Sequence, residues 1–536
     1  MNSSSRPLSN VWRRLGYSSL PPVVIWVPSV LIVALLLLSP LYLTIRTLGA
    51  GTALGGVLFR IEILEILGRT LLLVASVSLA SVAIALPLAW LTTRSDLPFR
   101  RVWSVLTLLP LVIPSYVFAF IVVIALGPQG MLQGLVEGPL GVERLPDING
   151  FTGAWLALTL LSYPYVVLTL RAALNRLDPS LEEISRGLGQ TAWSTFWRVL
   201  LPLLRPAVAA GALLAGLYTL SDFGAVSILQ YQTFTAVIFQ EYDAVDRTLA
   251  SALSLILMAL ALAIVVAESW SRGGSKYYRS DSGAVRPSST VKLRGWSWPA
   301  LIFCGLVALL SLALPLTVLL IWIVRGVLAG EPLLLLWQPA LNSLTVSLLA
   351  AAVVVVAALP LAILAVRHSG VITRLAERIT YMGFALPGIA VALGLVFFGA
   401  NYAPLLYQTL GLLVVAYVIL FLPAAVGPIR SSLLQVSPNV EDAARSLGSS
   451  PARLLTSITV PLVRPGILAG AALVFLLVMK ELPATLILSP IGFETLATSV
   501  WSAASEAFFA RAAAPALLLI LVSSIPLAFL SFGEER

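Results

Sequence analysis

Carboxylates and guanidinium groups are scarce in this chain, and those that recur at a fixed spacing fall in two stretches that repeat each other. LDPSLEEISRGLGQTAWSTFWRVLLPLLRPAVAAG begins at Leu177, and VSPNVEDAARSLGSSPARLLTSITVPLVRPGILAG begins at Val436. They align without a gap. Pro179, Glu182, Arg186, Leu188, Gly189, Pro202, Arg205, Pro206 and Gly211 recur as Pro438, Glu441, Arg445, Leu447, Gly448, Pro461, Arg464, Pro465 and Gly470, each 259 residues later. In the first copy the acidic pair Glu182 and Glu183 follows Asp178 and Pro179, where a helix N-terminus favours carboxylates. Gly189 and Gly448 suit a sharp turn with φ above zero. Each copy therefore reads as a short helix, a turn and a second helix on a membrane face. A polar loop written twice is presented twice, to two copies of a partner.

A second set of ionisable residues lies inside apolar sequence. Asp222 and Glu481 are related by the same offset of 259. Each is expected about sixteen residues into the span that follows its loop, roughly 24 Å from that end at 1.5 Å per residue. Lys480 stands where the first copy has Ser221. Charge at such depth marks a functional position by default, so Asp222, Lys480 and Glu481 are candidates for a translocation pathway. The competing reading has Lys480 neutralise one carboxylate and fix helix packing. Tyr116, Tyr163 and Tyr165 are read as interface anchors rather than oxygen ligands. One cysteine, Cys304, and one histidine, His368, give neither an internal disulfide nor a His-built metal cage. His368 is expected on a solvated loop among arginines. No tight metal site, bound cofactor or catalytic constellation is expected, and no GxxxxGK phosphate loop is present.

The elements that must carry these residues are membrane helices. With 536 residues, 59% hydrophobic and 11% charged, and a mean hydropathy of +0.99, the chain is far more apolar than a soluble domain. Runs such as Val23 to Ile45, Thr70 to Leu91, Val102 to Leu126, Val208 to Leu229 and Val346 to Val366 reach or approach the length needed to cross a bilayer as helix. Twelve spans are expected, six in each half, and the absence of period-2 alternation excludes a barrel. The basic stretch before Val23, with Arg6, Arg13 and Arg14, leads into a retained first span with no cleaved signal. Basic residues occupy alternate connections, among them Arg94, Arg100, Arg101, Arg171, Arg186, Arg198, Arg205, Arg367, Arg374 and Arg378. The positive-inside rule puts those connections and both termini in the cytoplasm. The other connections carry Glu137, Glu143, Asp147, Glu241, Asp243 and Asp246. The net charge of +9 is thus membrane topology, not a nucleic-acid surface.

The front of each half repeats at a different offset, 273, which relates Leu86, Pro87, Arg94 and Pro114 to Leu359, Pro360, Arg367 and Pro387. Since 273 minus 259 is 14, the first half holds 14 extra residues between Pro114 and Pro164, in a Gly/Pro-rich external loop. Six spans per half make the repeats parallel. The expected organisation is a first repeat over 1–268 with its loop at 177–206, a basic cytoplasmic linker over 269–297 that serves as a tether, and a second repeat over 298–536 with its loop at 436–465. Pro87, Pro110, Pro114, Pro164, Pro360, Pro387 and Pro423 are expected to kink spans.

At the repeated loop the chain resembles the EAA-loop permeases, the transmembrane subunits of bacterial importers driven by ATP-binding cassettes. The family pattern falls on Glu183, Ile184, Ser185, Gly189 and Pro202, and on Asp442, Ala443, Ala444, Gly448 and Pro461. The first copy departs at both alanines and the second has Asp for Glu, with spacing kept. The resemblance implies a type I importer permease fold, all-α and integral to the bacterial inner membrane. It implies that each loop is a coupling helix seated on one of two ATP-binding-cassette subunits, which hold the ATP, and that an extracytoplasmic substrate-binding protein delivers cargo. Fused twelve-span forms look like the ferric-iron group, and the segments from Ser221 and Met479 look like ferric permeases in particular. Thiamine or phosphonate permeases stay as alternatives, and a secondary transporter as the rival class.

Overall fold

The computed structural model describes residues 23–49, 61–128, 130–140, 144–177, 180–244, 247–272, 290–330, 337–368, 370–383 and 386–533. Arg6, Arg13, Arg14, Glu143, Asp178, Pro179, Asp246 and the linker's centre lie outside them. Among the described residues the only β contact is an isolated parallel bridge between Ser95 and Val291. The rest is helix and connection, as expected where each backbone polar group must be satisfied within its own segment.

In the first half the helices are α1 (Val23–Leu48), α2 (Ile61–Arg94), α3 (Arg100–Leu106), α4 (Ser115–Leu126), α5 (Met131–Leu140), α6 (Phe151–Arg176), α7 (Ser180–Gly187), α8 (Leu201–Ser221), α9 (Gly224–Ile228), α10 (Phe234–Asp243) and α11 (Arg247–Arg272). In the second they are α12 (Ser297–Ala308), α13 (Leu314–Leu328), α14 (Trp337–Arg367), α15 (Val371–Met382), α16 (Gly388–Tyr402), α17 (Leu410–Gln435), α18 (Pro438–Ser446), α19 (Arg464–Met479), α20 (Pro483–Leu488), α21 (Leu496–Ser505) and α22 (Phe509–Gly533). Among the described residues ten helices are long and apolar enough to cross a bilayer, and an eleventh span is a pair bent by 75° between Ala452–Leu462 and Arg464–Met479. The shorter apolar α16 begins 273 residues after α4 and takes its place in the second half, which completes twelve.

Two of the expected spans are not continuous. Val102 to Leu126 is split into α3, a 3-10 turn over Leu109–Val112 and α4. Pro114 has extended backbone there and stands as the residue before α4, as Pro387 does before α16. A proline offers no N–H to continue the ladder, so both third spans break at the same step. Val208 to Leu229 stops at Ser221, because Asp222 is extended (φ −67°, ψ 130°). Pro87, Pro164, Pro360 and Pro423 lie within continuous helices.

The halves are interlocked. α1 packs against α14, α15 and α16 of the second half, and the Ser39 hydroxyl donates to the carbonyls of Ala390 and Val391 at 3.3 and 3.4 Å. Reciprocally, the first span of the second half lies on the first: Ala300, Cys304 and Val307 share a core with Leu88, Tyr163 and Leu170. Tyr163 and Ser311 join their hydroxyls at 3.3 Å. The far end of the linker is fixed as well, since Asp96 N–H donates to the Val291 carbonyl and Val291 N–H to the Arg94 carbonyl.

Candidate functional site

The two copied loops fold alike. α7 and α18 each end in a left-handed glycine, Gly189 at φ 81° and Gly448 at φ 85°. Gly189 N–H reaches the Arg186 carbonyl and Gln190 N–H that of Ser185; Gly448 and Ser449 do the same to Arg445 and Ala444. This double closure caps the orphan carbonyls of a helix end, and the positive φ is what requires glycine. Pro202 stands in the first turn of α8, and Pro461 lies in the short helix Val460–Leu462 just before the 75° bend.

The four acidic residues divide into two pairs with opposite orientation. Glu182 and Glu441 are buried and point inward, each onto an arginine at the end of the second span of its half. Arg94 lies 3.5 Å from Glu182, with side chains 3% and 5% exposed, and Arg367 lies 3.1 Å from Glu441. The same arginines cap the fourth span. Arg94 donates to the carbonyls of Leu174 and Leu177, and Arg367 to those of Leu433 and Val436. Each position maps onto its counterpart, by 273 for the arginines and 259 for the rest. Burial in this setting leaves either charge costly without the other. Glu183 and Asp442 face outward instead, and Asp442 is bonded to Arg445 at 3.1 Å in an exposed pair. Ala443 is exposed and Ala444 buried, while the Ser185 hydroxyl meets Thr195 at 2.9 Å. Leu188 and Leu447 project from the turns, 77% and 87% exposed. The first loop also exposes Ile184, Trp193 and Trp197, where the second has Ala443, Ala452 and Thr456.

A second pair of arginines serves the broken third spans. Arg171 on α6 donates to Thr92, to the Ser104 carbonyl and to Thr107 at 3.1, 2.7 and 2.8 Å. Its counterpart Arg430 holds Glu377 of α15 at 2.9 Å, and Glu377 is the counterpart of Ser104. The roles of Arg94, Arg171 and Arg367 were not visible in sequence beyond their sidedness, and Arg430 was not singled out there, although the recurrence of the four at both offsets carried the signal. His368 differs from the solvated surface residue expected. It is half-buried with a buried, unpartnered Nδ1, and burial first, then the Arg445 charge, holds its pKa below the ordinary imidazole value, with Glu441 opposing.

The deep carboxylates are helix caps at the ends of their spans, not side chains along continuous helices. Asp222 Oδ1 accepts the N–H groups of Ala225 and Val226 at 2.9 and 3.4 Å, which starts α9. Glu481 Oε1 accepts the Ala484 N–H at 3.0 Å, which starts α20. Lys480 does not pair with Glu481 within 4 Å among the described residues; its ammonium donates to the Leu111 carbonyl across the seam at 3.0 Å. The extra methylene of Glu481 is accommodated at the neighbouring third span. Ser115, the first residue of α4, has as its counterpart Gly388, where a Cβ would come within 2.7 Å of Glu481 Oε1. Asp222→Glu is therefore expected to destabilise the protein by about 1–3 kcal/mol through overpacking, and Ser115→Gly in the same chain to recover most of it. Thermal unfolding in detergent reads both. Beside Glu481 the crevice lined by Ser343, Ser347, Tyr417, Thr485 and Thr495 has no space wide enough for a water molecule.

Fold and site together define a polytopic membrane protein made of two six-span repeats, each holding an inward ion pair behind an outward polar helix. The chain belongs to the family of the binding-protein-dependent transport system inner membrane component, which matches residues 81–270 and 355–533, once in each half. It is 36% identical to the Fe(3+)-transport system permease protein FbpB 2 of Haemophilus influenzae over 94% of this chain and 97% of that one. It is 23% identical to the ferric transport system permease protein FbpB of Actinobacillus pleuropneumoniae, over 88% and 72%. The molybdenum transport system permease protein ModB of Escherichia coli matches 29% of this chain at 33% identity, covering 69% of its own length. The chain is accordingly a multi-pass membrane permease component of an importer, and not itself an enzyme.

Proposed function

We propose that this permease carries ferric iron inward, driven by two cytoplasmic ATP-binding-cassette subunits that dock on α7 and α18. The observation that supports this most is the twice-built coupling unit, Arg94 with Glu182 and Arg367 with Glu441. Each unit ties an outward-facing helix rigidly to the second and fourth spans, so a push on the loop is a push on the bundle. The relatives named as ferric permeases over nearly the whole length supply the cargo. In this reading both termini and the linker are cytoplasmic, ATP is held by the partner subunits, the chain binds no cofactor, and an extracytoplasmic binding protein supplies the affinity. Glu183, Asp442, Ala443, Gly189 and Gly448 form the docking faces, and Asp222, Lys480 and Glu481 flank the pathway.

Uptake of radiolabelled ferric iron in cells with and without this gene tests the cargo, with thiamine in parallel. Iron uptake is expected to fall to background and thiamine uptake to stay unchanged. Loss of thiamine uptake alone would overturn the cargo. Iron uptake that survives deletion of the ATPase partner would favour an ion-coupled transporter instead.

A further inference from the structure

Two contacts join the halves just beyond the carboxylates, and neither is repeated. Phe223, the residue after Asp222, lies 4.9 Å ring to ring from Trp501 of the second half and 4.8 Å from Phe239 of the first. Trp501 and Phe239 close the triangle at 6.5 Å. Lys480, the residue before Glu481, reaches the Leu111 carbonyl of the first half. That carbonyl is free because Pro114, three residues on, has no N–H to give it. The counterparts 259 residues away are Leu482, Thr498 and Tyr242 for the three rings, of which one is aromatic, and Ser221 for the lysine, so the second site holds neither three rings nor an ammonium. A duplicated chain left to its symmetry would close its seam with two equal halves. Here the two sides of the seam are built from different chemistry.

The position is as specific as the chemistry. α8 runs 21 residues from the first coupling loop, about 31 Å at 1.5 Å per residue, so its end at Ser221 lies on the membrane side opposite that loop. The helix breaks there, α19 breaks at the matching place, and the crevice beside Glu481 is too narrow for water. We infer that Phe223, Phe239 and Trp501, with Lys480 on the Leu111 carbonyl, form the gate that seals the pathway on the side away from the ATPases. The two capped breaks at Asp222 and Glu481 are the hinges about which it opens. This rests on the importer reading only for what drives the opening. Phe223 and Trp501 are positioning residues that hold the seam shut, and the gate takes no part in cargo chemistry.

Cysteine pairs test it directly, because Cys304 is the only cysteine in the chain and one substitution removes it. With a protease site in the linker, the two halves separate on a denaturing gel unless a bridge joins them. Phe223→Cys with Trp501→Cys, bridged by a short thiol-reactive linker, is expected to hold the halves together in the resting complex. Bridging should stop uptake in cells, and a cleavable bridge should restore it on reduction. Trapping the complex with ATP and vanadate should lower the bridging yield several-fold, while a control pair at Tyr42 and Asn401, whose side chains meet across the halves at 3.3 Å, stays constant. Full uptake by bridged protein, or equal yield in both states of a complex that hydrolyses ATP, would overturn the gate. A complex that hydrolyses no ATP would overturn the importer reading, and the uptake measurement would still judge the gate. Should the double variant fail to reach the membrane, Lys480→Met in the native chain gives the second test. Losing one charge-assisted hydrogen bond is expected to raise ATP hydrolysis without binding protein about tenfold, with Lys480→Arg near the native rate. An unchanged rate in Lys480→Met would remove the lysine from the gate.

Discussion

Arg367→Ala is expected to abolish uptake and to lower stability by about 3–5 kcal/mol, the cost of leaving a buried carboxylate without its partner. Glu441 is 7% exposed and lies 3.1 Å from the guanidinium, so neither water nor another cation takes over in place; Arg445 approaches only its other oxygen, at 4.0 Å. The informative variant is the double one. Arg367→Met with Glu441→Met replaces the pair by apolar groups of similar length, and buried pairs replaced in this way often keep or gain stability. If the pair transmits motion, the double variant unfolds near the native temperature in detergent and yet fails to import, because the capped end of the fourth span is no longer bound to α18. Native uptake by the double variant would reduce the pair to packing. The first half should respond more mildly: Arg94 stands farther from Glu182, at 3.5 Å, and Glu182 Oε1 has no hydrogen-bond partner, so Glu182→Gln costs less than Glu441→Gln. Thermal unfolding and uptake on the same preparations separate these outcomes.

The repeated loops could be read from sequence because their chemistry is local. A left-handed glycine, a first-turn carboxylate and a proline at the start of the next helix each act within a few residues, so constant spacing shows them twice. What the carboxylates do is not local. Arg94 and Arg367 recur at an offset of 273 and their partners at 259, so no single alignment places them together; only the bundle does. The helix breaks were hidden for another reason. Val102 to Leu126 and Val208 to Leu229 are apolar throughout, and hydropathy does not distinguish a straight span from one broken at Pro114 or Asp222. Asp222 and Glu481 were recognisable as charges in apolar surroundings, but their use as caps for α9 and α20 depends on a turn that composition does not report. Lys480 beside Glu481 suggests an ion pair by adjacency, yet neighbours at the end of a helix point apart, and the free carbonyl at Leu111 lies where the ammonium points.

The interlock of the halves was the least legible feature, and it predicts the other large effect. Gly394 on α16 lies so close to α1 that a Cβ there would collide with the Ser39 hydroxyl and come within 2.9 Å of Ser39 Cβ and 3.0 Å of its Cα. Small residues allow such approach between membrane helices, where packing rather than hydrophobicity drives association. Gly394→Leu is therefore expected to cost more than the ~1–3 kcal/mol of ordinary overpacking, since behind the Ser39 side chain the α1 backbone itself stands at 3.0 Å and no rotamer change moves it. It should displace α1 from the second half and remove most folded protein from the membrane, as read by yield after extraction and by unfolding temperature. Gly394→Ala tests the geometry more finely. Alone it meets the Ser39 side chain; with Ser39→Gly it meets only the α1 backbone, and much of the lost stability should return. Failure of Ser39→Gly to rescue would mean that α1 is not seated on α16 through this crossing. If rescue occurs, α1 works for the second half although it is encoded in the first. A chain cut in the linker would then need both pieces present for either to fold, because α1 completes the surface of one and the span containing Cys304 completes the surface of the other.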